Sequence, residues 1–231
     1  MWQSLIANFA VVGLFVFGWL QAQDVLLKMR RPYRQMTFGV LMGTGAVVSM
    51  LLTSELPGGL YFDLRASFVA VSALLGGPLA TVFTLAMAGA YRATMGGVGL
   101  GGALFGMGIV SAMGLVAHYW LGRRSPDIRV ILIFALVTAL VPLLLLMLLP
   151  EPARARAQDA LGPMIGIGFL ATSAAACSIV QSVKRLDERR LLLAAIGQVP
   201  DYLYVKDRDS RFVAANAMAA KFSGFSSPAE L

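Results

Sequence analysis

RASFVAVSALLGGPLATVFTLAMAGAYR, residues 65–92, is an apolar stretch with an arginine at each end and Gly76-Gly77-Pro78 in its interior. As one straight helix it would set Arg65 and Arg92 about 40 Å apart, at 1.5 Å per residue, on opposite faces of a bilayer. As a hairpin turning at Gly76-Gly77-Pro78, the segment Ala66–Ala90 becomes two arms of about 11 to 13 residues, roughly 16 to 20 Å each. Such arms are too short for a hydrocarbon core of about 30 Å. Both arginines then return to the same side.

The rest of the chain says that lipid is the solvent to consider. Of 231 residues, 58% are hydrophobic and only 13% charged, about half the charged share of a soluble domain. The net charge of +7 falls between apolar runs. That is the pattern of membrane topology signals, not the basic stripe of a nucleic-acid binder. The single cysteine, Cys177, lies in an apolar run and reads as a small buried residue. The single histidine, His118, precedes Tyr119 and Trp120 and reads as an interfacial side chain.

The first apolar run, Leu5 to Leu20, lacks a preceding basic residue and a small-residue cleavage site, so it reads as a span with Trp2 and Trp19 as interfacial anchors. Lys28, Arg30, Arg31 and Arg34 follow, against Asp24. A second run, Met36 to Thr53, carries Gly39 and Gly43 four apart, which suits close helix packing, and Pro57-Gly58-Gly59 ends it. Beyond the broken stretch, Gly97 to Leu121 is rich in glycine. Arg123, Arg124, Asp127 and Arg129 separate it from Val130–Leu149, which contains Pro142. A connection from Pro150 to Pro163 leads to the last run, Met164 to Val183.

Two topologies compete. Six plain spans with an internal N-terminus put Lys28, Arg30, Arg31 and Arg34 outside, against the positive-inside tendency. Five spans plus a re-entrant hairpin put the N-terminus outside, and the basic segment, the Arg123–Arg129 loop and the Lys184 junction inside. Broken helices of this kind are tolerated where other helices bury the freed backbone, commonly around a cavity.

In the hairpin topology, two guanidiniums converge on the outer side. Arginine's planar fork suits a carboxylate or phosphate, and paired buried arginines are costly without a compensating anion. The competing reading has both arginines snorkel to headgroups. Asp63 either pairs with one of them or caps the following helix. Nothing in the sequence resembles a catalytic constellation, a metal-ligand set or a cofactor loop; Gly96-Gly97-Val98-Gly99 reads as turn and packing. The expected partners are therefore a small anion, carboxylate or phosphate, and the bilayer, with no nucleic acid, cofactor or metal.

From Lys184 the chain turns polar: Lys184-Arg185-Leu186-Asp187-Glu188-Arg189-Arg190 continues as a charged helix. Val183, Leu186, Leu193 and Gly197 fall on a short heptad-like seam, read either as a homodimer contact or as a solvated linker. Tyr202–Asp207, a polar turn at Arg208-Asp209-Ser210 and Arg211–Asn216 predict a β-hairpin. Asn216 then caps a short helix ending near Gly224. Two strands alone are marginal, so further strands are expected outside this sequence.

Phe62-Asp63-Leu64-Arg65, Leu74-Leu75-Gly76-Gly77-Pro78, Ala90-Tyr91-Arg92 and Gly96-Gly97-Val98-Gly99, in that order, resemble the LytS-type five-transmembrane receptor domain over roughly residues 24–183. The resemblance implies a bacterial inner-membrane sensor joined to a histidine kinase or a cyclic-di-GMP enzyme, acting in two-component, phosphorelay signalling with cell-wall organisation as the associated process. It implies a small carboxylate as the anion, and anion-contacting roles for Arg65 and Arg92. Pyruvate recognition in that family also uses polar side chains on the next helix, where this chain has Ala103 and Gly106. The tail is similar to the start of a PAS domain, with the PAS end cytoplasmic. The expected architecture is an all-α transmembrane bundle of five spans plus a re-entrant hairpin over 1–183, a linker helix over 184–196, and an incomplete α/β PAS domain over 197–231. A small-solute transporter, or its substrate-binding subunit, is the alternative.

Overall fold

The computed structural model describes residues 2–56, 60–97, 99–122, 125–147, 151–227 and 230. Pro57-Gly58-Gly59, Val98, Arg123, Arg124, Leu149, Pro150 and the side chains of Trp2 and Leu193 lie outside what is described. The chain forms two compact units, residues 1–180 and 181–231.

The larger unit begins with α1 (Trp2–Leu26) and α2 (Arg31–Leu51), followed by a small antiparallel hairpin of β1 (Ser54–Leu56) and β2 (Leu60–Phe62). The segment with the two arginines is folded back on itself. Its first arm is α3 (Arg65–Val71), which widens into a π-helical turn over Ser72–Gly76. Gly77, at φ +80°, breaks the helix, and Pro78 opens α4 (Pro78–Met95). A proline costs nothing in a first helical turn, where its missing N–H would have no intrahelical partner. α5 (Leu100–Leu121), α6 (Ile128–Leu146) and α7 (Glu151–Gln198) follow.

The second arm is longer than the sequence predicted. The α4 helix runs past Ala90 through Arg92 to Met95, and its 18 residues span about 26 Å. The fold-back point also lies deep in the bundle. A Cβ on Gly77 would meet Gln35, at the start of α2, at 2.7 Å and His118, near the end of α5, at 2.9 Å. The hairpin therefore reaches the far end of its neighbours; the expected short arm holds for the first, Arg65–Gly76, and is corrected for the second.

Four described helical segments are long and apolar enough to cross a membrane: Gln3–Leu26, Leu100–Leu121, Ile128–Leu146 and Ala160–Gln198. The second expected span, α2, is not among them, for a reason visible in its packing. It lies against α4 so closely that a Cβ on Gly39 would stand 2.5 Å from the Ala80 carbonyl oxygen, and one on Gly43 would press on Met87 and Thr84. The Thr84 hydroxyl shares its proton between the Gly39 and Ala80 carbonyls at 3.0 and 2.9 Å, and the Ser72 hydroxyl lies 2.7 Å from it. A face covered by protein can be small and polar, so helix hydropathy falls. Elsewhere Ile6, Leu14, Phe17, Phe105, Val116 and Ile133 are exposed, an apolar surface too extensive for a water-soluble monomer. The protein is a multi-pass membrane protein.

Three further expectations change. Trp19 is buried and packs edge-on against Phe38, with ring centroids 4.5 Å apart, so it is a core residue and not an interfacial anchor. His118 does more than sit at an interface: its Nδ1 lies 2.8 Å from the Leu74 carbonyl, in the widened turn before Gly77. The connection before the last span is helical from Glu151, with Pro163 inside α7. Of the glycines in α5, Gly106 packs on Leu145 and Gly114 on Ala73, whereas Gly101, Gly102 and Gly108 have open space.

In the 181–231 unit, the end of α7 exposes Leu191, Leu192 and Ile196. Strands β3 (Tyr204–Lys206) and β4 (Phe212–Ala215) pair antiparallel. The Asp207 carboxylate closes their turn by accepting from the backbone N–H groups of Asp209 and Arg211, each at 2.9 Å. Helix α8 (Ala217–Phe222) follows. Its cap, Asn216, is buried; its Oδ1 accepts from Ala219 N at 2.9 Å, and its Nδ2 donates to the Asp201 carbonyl at 2.7 Å and the Val199 carbonyl at 3.2 Å. Gly224, at φ +84°, lies just past the end of the helix.

Candidate functional site

The open end of the hairpin, opposite Gly77, holds a cavity of about 140 Å³. It is lined by β2, the start of α3, the end of α4, the first turns of α5, the end of α6 and the start of the membrane part of α7. Its size falls below the roughly 300–1,000 Å³ of pockets for drug-sized molecules, so it suits something of a few non-hydrogen atoms. Most of its wall is apolar: Met107, Val110, Val141, Pro142, Leu145, Leu161 and Met164 all contribute.

The charged groups among its described lining residues are Asp63, Arg65 and Arg92. The hairpin brings the two arginines to one cavity. Arg92 sits in the last turn of α4 and is 1% exposed. Its Nη1 donates to the Gly96 carbonyl, and its Cζ lies 5.1 Å from the centre of the Tyr61 ring. The Gly96 carbonyl is presented by a left-handed turn, φ +64° at Gly96 and +89° at Gly97, a conformation open to glycine at little cost. The Arg92 Nε is buried and has no hydrogen-bond partner.

Asp63 is 2% exposed and pairs with Arg65, while the N-cap position of α3 itself is Leu64. The Asp63 Oδ1 accepts from the backbone N–H of Arg65 at 3.0 Å, at the mouth of α3, and pairs with the Arg65 Nε at 3.3 Å. The other oxygen, Oδ2, is buried without a hydrogen-bond partner. Arg65 also reaches the Met50 sulfur through Nη1, at 3.3 Å. Among the described lining residues the charges sum to +1: two guanidiniums against one carboxylate.

Gly76, Gly77 and Pro78 do not join this site; they hold its frame from the opposite end. Ala103 and Gly106 line it, and neither offers a polar atom beyond the backbone. Sequence reasoning did not reach Tyr61, the Gly96 carbonyl, Thr138 or the α7 residues Leu161 and Met164. Tyr61 adjoins the Phe62-Asp63-Leu64-Arg65 motif, and aromatic stacking on arginine was a signal available there. The α6 and α7 residues carry no local signal at all.

Two buried polar links tie the site to its surroundings. Ser49 Oγ accepts from Leu64 N at 3.0 Å and donates to Asn8 of α1. Thr172 Oγ1 of α7 donates to Ser67 Oγ of α3 at 2.9 Å. No group of three or more metal-ligating side chains occurs among the described residues. A family model described as 5TMR of 5TMR-LYT matches residues 20–183. No curated protein and no solved structure matches the chain.

Proposed function

The chain belongs to the 5TMR-LYT family of five-transmembrane receptor domains, and on that premise we propose that it is the sensing part of a bacterial signal-transduction protein. A small extracytoplasmic anion binds between Arg65 and Arg92, and occupancy is relayed along α7 to a cytoplasmic PAS module. The carrying observation is that two guanidiniums, that of Arg92 buried, share a cavity with one carboxylate among its described lining residues, and that its walls include α7. Removing a cation from water costs several kcal/mol unless an opposite charge compensates. Asp63 neutralises one guanidinium, and a bound anion would neutralise the other.

The relay has a material candidate. Leu161 and Met164 place α7 in the cavity wall, and Thr172 ties the same helix to Ser67, two residues beyond Arg65. A ligand shifts such an equilibrium only by its difference in affinity for two packings. Closing of the cavity around an anion would alter these contacts on α7. The anion-facing end is taken as extracytoplasmic because the opposite end carries Lys28, Arg30, Arg31 and Arg34, the cytoplasmic signature. In this topology α2 is the fifth span, covered on one side by α4. The β3–β4 hairpin with its Asn216-capped helix supports the reading of residues 197–231 as the first part of a PAS domain. The exposed Leu191, Leu192 and Ile196 of α7 support a homodimer contact through the linker helix. By family, the output is a histidine kinase or a diguanylate cyclase in the inner membrane.

The test is binding of short carboxylates to the purified chain in nanodiscs, paired with uptake into proteoliposomes. Arg65→Ala and Arg92→Lys should each weaken binding at least about tenfold, since a charge-assisted contact contributes roughly 1.5–3 kcal/mol. The liposomes should accumulate nothing. Unchanged affinity in both variants would sink the anion site, and robust uptake would turn the reading to a transporter.

A further inference from the structure

Resting on the anion reading, the geometry points to a narrower ligand class: a small monocarboxylate with a hydroxyl beside its carboxylate, a 2-hydroxy acid, in preference to a keto acid, an unsubstituted acid or a dicarboxylate. Three observations converge on this. The first is charge. Among the described lining residues Asp63, Arg65 and Arg92 sum to +1, so one negative charge closes their balance and two would overshoot it. Uncompensated charge in either direction is penalised where water is scarce.

The second is the surplus of acceptors. Asp63 Oδ2 is buried, unpartnered and attached to a cavity-lining residue. A carboxylate oxygen can only accept a hydrogen bond when ionised. Thr138, also on the wall, spends its hydroxyl proton on the Phe134 and Ala135 carbonyls at 3.0 Å each, so towards a ligand it too is an acceptor. A keto oxygen offers these atoms nothing, whereas a hydroxyl offers its proton. An amino group would donate as well, but a zwitterion carries no net charge and leaves the site at +1.

The third is the division of labour around the cavity. The α5 wall supplies Gly102, Ala103, Gly106 and Met107, none with a side-chain donor. The donors come from the guanidiniums, with the Arg92 Nε still unpartnered. They meet the carboxylate, Asp63 meets the hydroxyl beside it, and the apolar wall accepts a short alkyl group. Leaving a buried carboxylate oxygen unpaired costs more than making its hydrogen bond gains, so the hydroxyl acts chiefly as a selectivity element.

Isothermal titration of the 231-residue chain in nanodiscs, with lactate, pyruvate, propionate and malonate as probes, tests this. Lactate should bind at least about tenfold tighter than propionate or pyruvate, and malonate should bind more weakly than lactate. In Asp63→Asn, the lactate preference over propionate should shrink to within about threefold while propionate binding persists, which also reports that the variant is folded. Propionate or pyruvate binding as tightly as lactate in the unmodified chain would overturn the hydroxy-acid inference and leave the anion site standing. Tighter malonate binding would overturn the charge balance. If none of the four binds, the anion reading falls and this inference falls with it.

Discussion

Substituting alanine for Gly77 would put strain at the point on which the site depends. Gly77 has φ +80° and ψ −168°, a region essentially restricted to glycine and costing a side-chain-bearing residue about 1–3 kcal/mol. The added Cβ would also stand 2.7 Å from Gln35 Nε2 and 2.9 Å from His118 Nε2. Both are ends of side chains and can move, but His118 is held by the Leu74 carbonyl at 2.8 Å. Displacing it forfeits a hydrogen bond of about 0.5–1.5 kcal/mol. The sum is roughly 2–4 kcal/mol, or about 4–16 °C in melting temperature for a domain of this size. The assay is thermal unfolding in one fixed detergent, with lactate titration run alongside. Gly108→Ala is the control, because a Cβ there meets nothing within 4 Å and alanine is the better helix former by about 1 kcal/mol. Gly77→Ala should melt well below the parent and Gly108→Ala at or above it. If the two variants melt together, the fold-back does not depend on the backbone conformation of Gly77.

Thr172→Val keeps the shape of the side chain and removes the proton donated to Ser67. Ligand affinity should stay within about threefold, at a stability cost of about 1 kcal/mol, while ligand-induced change in α7, read by spin labels on its exposed positions, should be lost. In the smaller unit, Asn216→Ala removes the cap of α8 and the bonds to Val199 and Asp201. The cap alone is worth about 0.5–2 kcal/mol. Hydrogen exchange over 199–222 should accelerate at least about tenfold, with protection in 1–180 unchanged.

Much of the architecture was legible because it rests on local chemistry. Gly76-Gly77-Pro78 disrupts a regular helix, so a break between Arg65 and Arg92 could be read without knowing any contact, while the choice of a reversal over a straight span came from the structure. Asn216 three residues before Ala219 marks a helix start, and the structure has that cap. The close approach at Gly39 and Gly43 followed from two glycines one turn apart. The glycines of α5 show where this kind of reading stops. Gly114 meets Ala73 and Gly108 meets nothing, yet both sit in the same small-residue background.

By itself the sequence determined a lipid-embedded helical bundle, a helix break at Gly-Gly-Pro and a charged exit into a β-hairpin, since apolar run length, helix breakers and caps act within a few residues. The tertiary structure alone decided the depth of the hairpin, the burial of Trp19, the seat of Arg92 over Tyr61 and the pairing of Ser67 with Thr172. Ser67 and Thr172 lie 105 residues apart. No periodicity encodes such a pair, because which faces meet is settled by the packing of all the helices at once.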